Sequence, residues 1–259
     1  MAAIIPIPAF SDNYIWLLRE GARAVVVDPG DAVPVRAYLE REGLRLAAIL
    51  VTHHHGDHVG GVAALAATGD VPVLGPAREA IPGRTHALTD GSDVPLPGFA
   101  ASLRVLDVPG HTAGHIAYVG ELDGGPVAFV GDTLFAAGCG RLFEGTAAQM
   151  AASLARLAAL PPATRIYCAH EYTLANLRFA RAVEPGNAAL AEREARERAR
   201  REHGLPTLPS ILADELATNP FLRTAGPEVA ASAARRAGVP LADPVAVFAT
   251  LRTWKNAFG

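Results

Sequence analysis

The chain has 259 residues, half of them hydrophobic and 19% charged, with a formal net charge of -3 when its nine histidines are neutral. That length supports a sizeable core, and the composition excludes a disordered or low-complexity protein. The slightly acidic balance gives no global field for nucleic acid or an anionic membrane, no apolar run approaches the roughly 20 residues of a membrane span, and the start MAAIIPIPAFSDNY lacks the regions of a signal peptide. A cytoplasmic monomer is expected, with neither nucleic acid nor membrane as partner. Its two cysteines, Cys139 and Cys168, are expected to stay reduced.

In chain order, NYIWLLRE and ARAVVVDPG are β-rich runs joined by a hairpin at Glu20 and Gly21. VPVRAYLEREG has helical spacing and a glycine stop, and LRLAAILVT is an apolar run of the kind buried on both faces. VAALAAT predicts a helix, VPVLG a strand, and SLRVLDVPG, HIAYVGE and PVAFVGD three further strands. AAQMAASLARLAAL is an amphipathic helix stopped by Pro161 and Pro162, and TRIYCAH returns as a strand. From Glu171 the segments EYTLANLRFARAVEPGN, AALAEREARERARREHG, SILADELATNP, PEVAASAARRAG and ADPVAVFATLRTWKNAF all predict helices. The change of character places a boundary near residues 170–175, and the charge run 192–203 is expected to be a solvated helix face with i,i+4 pairs.

The chemistry concentrates in VTHHHGDHVGG, which packs four histidines and one aspartate into positions 53–58. In an extended segment alternate side chains share a side, so His53 and His55 can hold one ion while His54 points away. A turn into a helix at Gly56 would direct Asp57 and His58 to a second ion, with Gly56, Gly60 and Gly61 allowing a tight backbone path. Further donors are sought at the ends of apolar strands, where His111, Asp132 and His170 stand. The expected set is His53, His55, His111 and Asp132 for one ion and Asp57, His58, His170 and Asp132 for the other, with Asp132 as the bridge. Two divalent ions are expected, zinc first, with iron or manganese also compatible with these ligand types. Such a pair lowers the pKa of a bridging water toward about 7 and stabilises an oxyanion, which is acyl-hydrolysing chemistry with Asp57 and Asp132 as its catalytic carboxylates. His54 and His115 are expected to be structural, and His86 and His203 ordinary.

The motifs VTHHHGDHVGG, PGHTAGH, FVGDTLFAAGCGRLFEGT and YCAHEYTLANLRFARAVEPGN resemble those of the metallo-β-lactamase superfamily, and specifically of the glyoxalase II (hydroxyacylglutathione hydrolase) family. The likeness continues to the terminal DPVAVFATLRTWKNAF and covers nearly the whole chain. It implies an α/β fold, a four-layer αββα sandwich over residues 1–171, followed by a helical glutathione-binding domain over 172–259. It implies hydrolysis of S-D-lactoylglutathione and related S-(2-hydroxyacyl)glutathiones to glutathione and D-lactate by a metal-bound hydroxide, the second step of methylglyoxal detoxification. It also implies that Arg141, Phe143, Tyr172, Arg252 and Lys255 bind substrate, Phe143 standing where some members carry a tyrosine. Arg252 and Lys255, on the last predicted helix, can form a local cationic patch for the carboxylates of glutathione. The rival readings are a mono-iron persulfide dioxygenase of the same superfamily, a nuclease, for which no extended basic surface is present, and a scaffold that keeps its metals for stability alone.

Overall fold

The structure is a computed structural model that describes residues 2–67 and 69–258. The chain first lays down β1 (Ala3–Ala9), β2 (Asn13–Glu20) and β3 (Arg23–Val27) as antiparallel neighbours, the turn at Gly21 having φ +58°. Helix α1 (Ala32–Glu42) follows, capped by the Asp31 carboxylate on the Val33 amide and ended by Gly43 in the left-handed region. β4 (Arg45–Leu50) then adds in parallel to β3, short helices α2 (Gly56–Val59) and α3 (Val62–Ala66) cross over, and β5 (Val73–Pro76) and β6 (His86–Leu88) complete a six-stranded sheet.

β7 (Asp93–Pro95), β8 (Ser102–Asp107), β9 (Ile116–Leu122) and β10 (Gly125–Gly131) form an antiparallel meander that opens the second six-stranded sheet. The small ribbon β11 (Leu134–Phe135) and β12 (Gly138–Cys139) leads to α4 (Ala147–Ala158), which starts in a reciprocal Thr146–Gln149 capping box. β13 (Arg165–Cys168) pairs in parallel with β10. After α5 (Thr173–Val183) and α6 (Ala188–Glu202), β14 (Ser210–Ile211) joins the edge of the second sheet, followed by α7 (Leu212–Thr218), α8 (Pro227–Ala237) and α9 (Pro244–Asn256).

Period-two alternation explains why the sheets stack. Trp16, Leu18, Val25, Val27 and Leu50 face Val105, Tyr118, Phe129 and Ile166 across the sheets, whereas Ile15, Leu17, Val26 and Ile49 turn to the outer side with Val35 of α1 and Val62 and Leu65 of α3. The inter-sheet core runs on without a break into Met150, Leu154, Phe179, Val229 and Phe248, so the helical region shares the second sheet's core. This is the expected α/β sandwich with C-terminal helices.

Several local expectations need correction. β1 was not anticipated because Pro6 and Pro8 interrupt its pattern, and it is tolerated because it is an edge strand. SILADELATNP is helical only from Leu212, its first two residues pairing with β13. In VAALAAT the helix spans Val62–Ala66, and Thr68 lies outside the described residues. The charge run on α6 is not wholly solvated: Arg193 is 2% and Glu197 5% exposed, and Arg193 Nη2 lies 2.5 Å from Glu215 Oε1. Among the described residues no helix is long and apolar enough to cross a membrane, and both cysteines are free and buried.

Candidate active site

Every expected metal donor follows the C-terminal end of a strand, all on one rim of the sandwich. His53 and His55 leave β4, Asp57 and His58 sit on α2, His111 follows β8, Asp132 follows β10 and His170 follows β13. The glycines of the first loop act differently from expectation. Gly60 and Gly61 have ordinary φ of -58° and -88°, and what they provide is close approach. A Cβ at Gly60 would stand 2.6 Å from the Gly30 carbonyl oxygen and one at Gly61 2.6 Å from the Ala32 nitrogen, while the space around Gly56 is open.

The donor atoms converge. His55 Nδ1 lies 3.1 Å from His53 Nε2 and 3.0 Å from His111 Nε2. Asp57 Oδ2 lies 3.5 Å from His58 Nε2 and 3.4 Å from His170 Nε2. Between these groups stands Asp132, with Oδ2 3.4 Å from His111 Nε2 and Oδ1 3.4 Å from His58 Nε2 and 3.3 Å from His170 Nε2. Tetrahedral coordination at bonds of about 2.0–2.2 Å has donor–donor edges of about 3.3–3.6 Å, close to this spacing. The buried polar atoms argue the same way, since neither Nε2 of His58 nor Oδ1 of Asp132 has a hydrogen-bond partner. Orphans of this kind are costly unless a cation takes them up. The donor set therefore fits divalent cations.

The outward atoms of several rings are tied down, which turns the lone pairs inward. The Thr52 hydroxyl donates to Asp28 Oδ2 at 2.7 Å, leaving its oxygen 3.1 Å from His53 Nδ1 as an acceptor. His111 Nδ1 donates to the Arg141 carbonyl at 2.9 Å and His170 Nδ1 to Asp12 Oδ1 at 2.8 Å, while Asn13 Nδ2 donates to Asp57 Oδ2 at 3.0 Å. Asp28, at φ +53°, also accepts the Thr52 amide at 2.7 Å and reaches within 3.1 Å of His58 Nδ1. His54 and His115 fall among the structural residues, as expected. His54 donates its amide and lies with Nδ1 2.9 Å from the buried Glu79, which also accepts from the Thr112 hydroxyl and the Gly114 amide. His115 accepts the Asp132 amide on Nε2 at 3.2 Å and stacks on His53.

Burial, then the neighbouring rings, pushes the His53 pKa well below its ordinary value; burial also lowers His55 and His111. Burial opposes charge on His58 and His170 as well, but the surrounding carboxylates outweigh it and raise both, His170 to about 11. Asp57 and Asp132 resist the upward push of burial because His58 and His170 hold them well below the carboxylate range. The site thus combines carboxylates held toward the ionised form with three imidazoles, His53, His55 and His111, held toward the neutral form, and these are the forms that ligate metals.

Beside the donors opens a cleft of about 420 Å³ lined by His111, Asp132, Phe135, Arg141, Phe143, Tyr172, Arg252 and Lys255 among others. Tyr172 stacks flat on His170 with centroids 4.8 Å apart, and the largely exposed Phe143 turns its ring edge-on to His55 and His111. Lys255 Nζ lies 3.0 Å from the Ala175 carbonyl. Arg252 departs from the expectation of a free cationic patch: it is 5% exposed, and its guanidinium donates to the Cys139 carbonyl at 2.7 Å. The sequence reading missed Asp12, Asn13, Asp28, Thr52 and Glu79; a polar residue closing an apolar strand, as Asp28 closes AVVV, was the one available signal.

Stacked mixed sheets with a His/Asp cluster on one rim define a member of the metallo-β-lactamase superfamily, whose family model matches residues 9–170. Residues 171–258 match a second family model, the hydroxyacylglutathione hydrolase C-terminus. The hydroxyacylglutathione hydrolase of Cupriavidus taiwanensis is 59% identical over 266 residues, covering 100% of both chains, and that of Alkalilimnicola ehrlichii 59% identical over 258 residues, covering 99% of each. Among solved structures, the BLEG-1 B3 metallo-beta-lactamase superposes with TM-score 0.62 at 25% identity over 86% of this chain and 99% of that one. The di-iron-bound form of TTHA1623 superposes with TM-score 0.51 at 33% identity over 65% of this chain and 91% of that one. The chain belongs to the hydroxyacylglutathione hydrolase family.

Proposed function

We propose that the protein hydrolyses S-D-lactoylglutathione and related S-(2-hydroxyacyl)glutathiones to glutathione and D-lactate, the second step of methylglyoxal detoxification, with two divalent cations held by His53, His55, His111 and Asp132 and by Asp57, His58, His170 and Asp132. The observation that carries this reading is Asp132, whose two oxygens face different histidine groups at the edge of a cleft of about 420 Å³. Zinc is the proposed metal; the di-iron form of the 33% identical TTHA1623 keeps iron open, and manganese suits the same donors.

Such cations supply a water acidic enough to ionise near neutral pH and positive charge for the oxyanion. The residues do the rest. Arg141 and Lys255 receive the carboxylates of glutathione, and Phe143 and Tyr172 flank the chain so that the thioester carbonyl arrives beside Asp132. Burial, followed by Asp12, Asp132 and Asp57, pushes the Tyr172 phenol up to about 12, so it remains a donor throughout the working range. Asp57, held ionised, accepts a hydrogen bond from the attacking water. Glutathione leaves as a thiolate of pKa about 8.5 and needs no dedicated acid. The cleft is complete within one chain, which supports a monomer, and two buried, unpaired cysteines support a reducing, cytoplasmic setting.

The test is the hydrolysis rate of S-D-lactoylglutathione by purified, metal-loaded protein against Asp132→Ala. Removing the carboxylate that would serve both cations is expected to lower kcat/KM on the order of 10³-fold or more. Equal rates would reject the assignment.

A further inference from the structure

The segment between Asp132 and Arg141 runs through the buried ribbon β11–β12, and several of the backbone polar groups that the ribbon's own pairing leaves over are met from the C-terminal helices. Asn219 Nδ2 donates to the Phe135 carbonyl at 3.2 Å and the Gly138 carbonyl at 2.9 Å. Asn176 Nδ2 donates to the Ala136 carbonyl at 3.0 Å, and Arg252 Nη1 to the Cys139 carbonyl at 2.7 Å and the Gly140 carbonyl at 3.4 Å. Glu215 Oε2 accepts the Ala137 amide at 2.8 Å. Ala137 needs this hold, because it sits at φ +53°, a left-handed conformation that costs an L residue on the order of 1 kcal/mol.

Glu215 and Asn219 are both 0% exposed, so neither can touch substrate. The buried Arg193 pairs with Glu215, and Asn219 Nδ2 lies 3.1 Å from Glu215 Oε2, so the two side chains form one unit. The ends of the segment they hold both belong to the site. Asp132 places a carboxylate oxygen toward each histidine group, and the Arg141 carbonyl takes the Nδ1 proton of His111.

We propose that Glu215 and Asn219 are positioning residues of the metal centre: they fix the course of residues 135–140 and thereby set Asp132 and the ring orientation of His111. This builds on the metal assignment proposed above and gives the helical region a second task besides lining the cleft. Displaced outer partners of metal ligands typically cost about 10- to 100-fold in metal affinity.

The experiment compares Asn219→Ala with Asp214→Asn, which breaks only the exposed pair between Asp214 and Arg196 on the neighbouring surface. Zn²⁺ retention is read by chelator competition and backbone protection at 133–141 by amide hydrogen exchange, with circular dichroism confirming the fold. Asn219→Ala is expected to hold Zn²⁺ about 10- to 100-fold more weakly, to exchange faster through 133–141, and to lose kcat, while Asp214→Asn matches wild type. Wild-type Zn²⁺ retention in folded Asn219→Ala overturns the proposal, as does an equal loss in Asp214→Asn. If Asn219→Ala does not fold, Asn219→Ser, which keeps one donor, is judged by the same criteria. Retention and exchange are read without substrate, so a wild-type protein inactive on lactoylglutathione would reject the functional reading and leave this test intact.

Discussion

Lys255 projects from α9 into the cleft, its ammonium 3.0 Å from the Ala175 carbonyl and 5.3 Å from the centre of the Phe179 ring. Burial, then the charges of Arg252 and Arg178, brings its pKa down to about 8. It is therefore cationic at neutral pH and loses its charge as pH rises through about 8, when attraction for a substrate carboxylate goes with it. KM for a glutathione thioester should climb above that pH, toward about tenfold per unit, whereas Lys255→Met should start high and stay level. Parallel KM profiles for the two proteins would remove Lys255 from substrate binding. At this scale the sequence pointed to the proposed donors and hid their supports. Asp12 and His170 are 158 positions apart, so only folding makes them partners.

Among the connecting segments, the loops at 53–58 and 110–115 depend on each other through Glu79. This one buried carboxylate accepts from the His54 amide at 2.6 Å, the Gly114 amide at 3.0 Å and the Thr112 hydroxyl. Glu79→Ala should leave these donors unmet and cost about 3 kcal/mol, a drop in Tm of roughly 6–12 °C for a chain of this size. A calorimetric Tm equal to wild type would show that the two loops stand independently. Elements were legible where burial imposed an apolar run, as in β4, β10 and β13, and each of those runs leads into a proposed donor. Short pairings such as β6, β7 and β14 left no such trace, because two or three residues carry no period and their partners lie far along the chain. The buried Arg193 escaped for a related reason: an i,i+4 charge pattern looks the same whether Glu215 waits above it or water does.

Across the whole molecule, the proposed donors join the two sheets. His53, His55, Asp57 and His58 belong to the first, and His111, Asp132 and His170 to the second. Bound cations would thus cross-link the open edge of the sandwich. Each ion should stabilise the fold by about 4 kcal/mol at free metal a thousandfold above its Kd. Scanning calorimetry should show a fall in Tm on chelation and its recovery on adding Zn²⁺; a Tm indifferent to chelator would mean that the sheets close without the metals. The sandwich with helices beyond it was readable from strand order and from the change in character near Glu171. That the helical region shares the second sheet's core was not, since nothing in a helix's own residues says which surface it will cover.

Strands that carry their chemistry at one end leave the other end idle. The β2–β3 turn at Gly21 and the β9–β10 turn at Asp123 and Gly124 lie there together, around a shallow acidic hollow that includes Glu20 and Glu121. An affinity tag or dye grafted onto Asp123 and Gly124 would hang a full sandwich length from the catalytic mouth, and tethering the enzyme to a support through that turn would leave the mouth facing the solution.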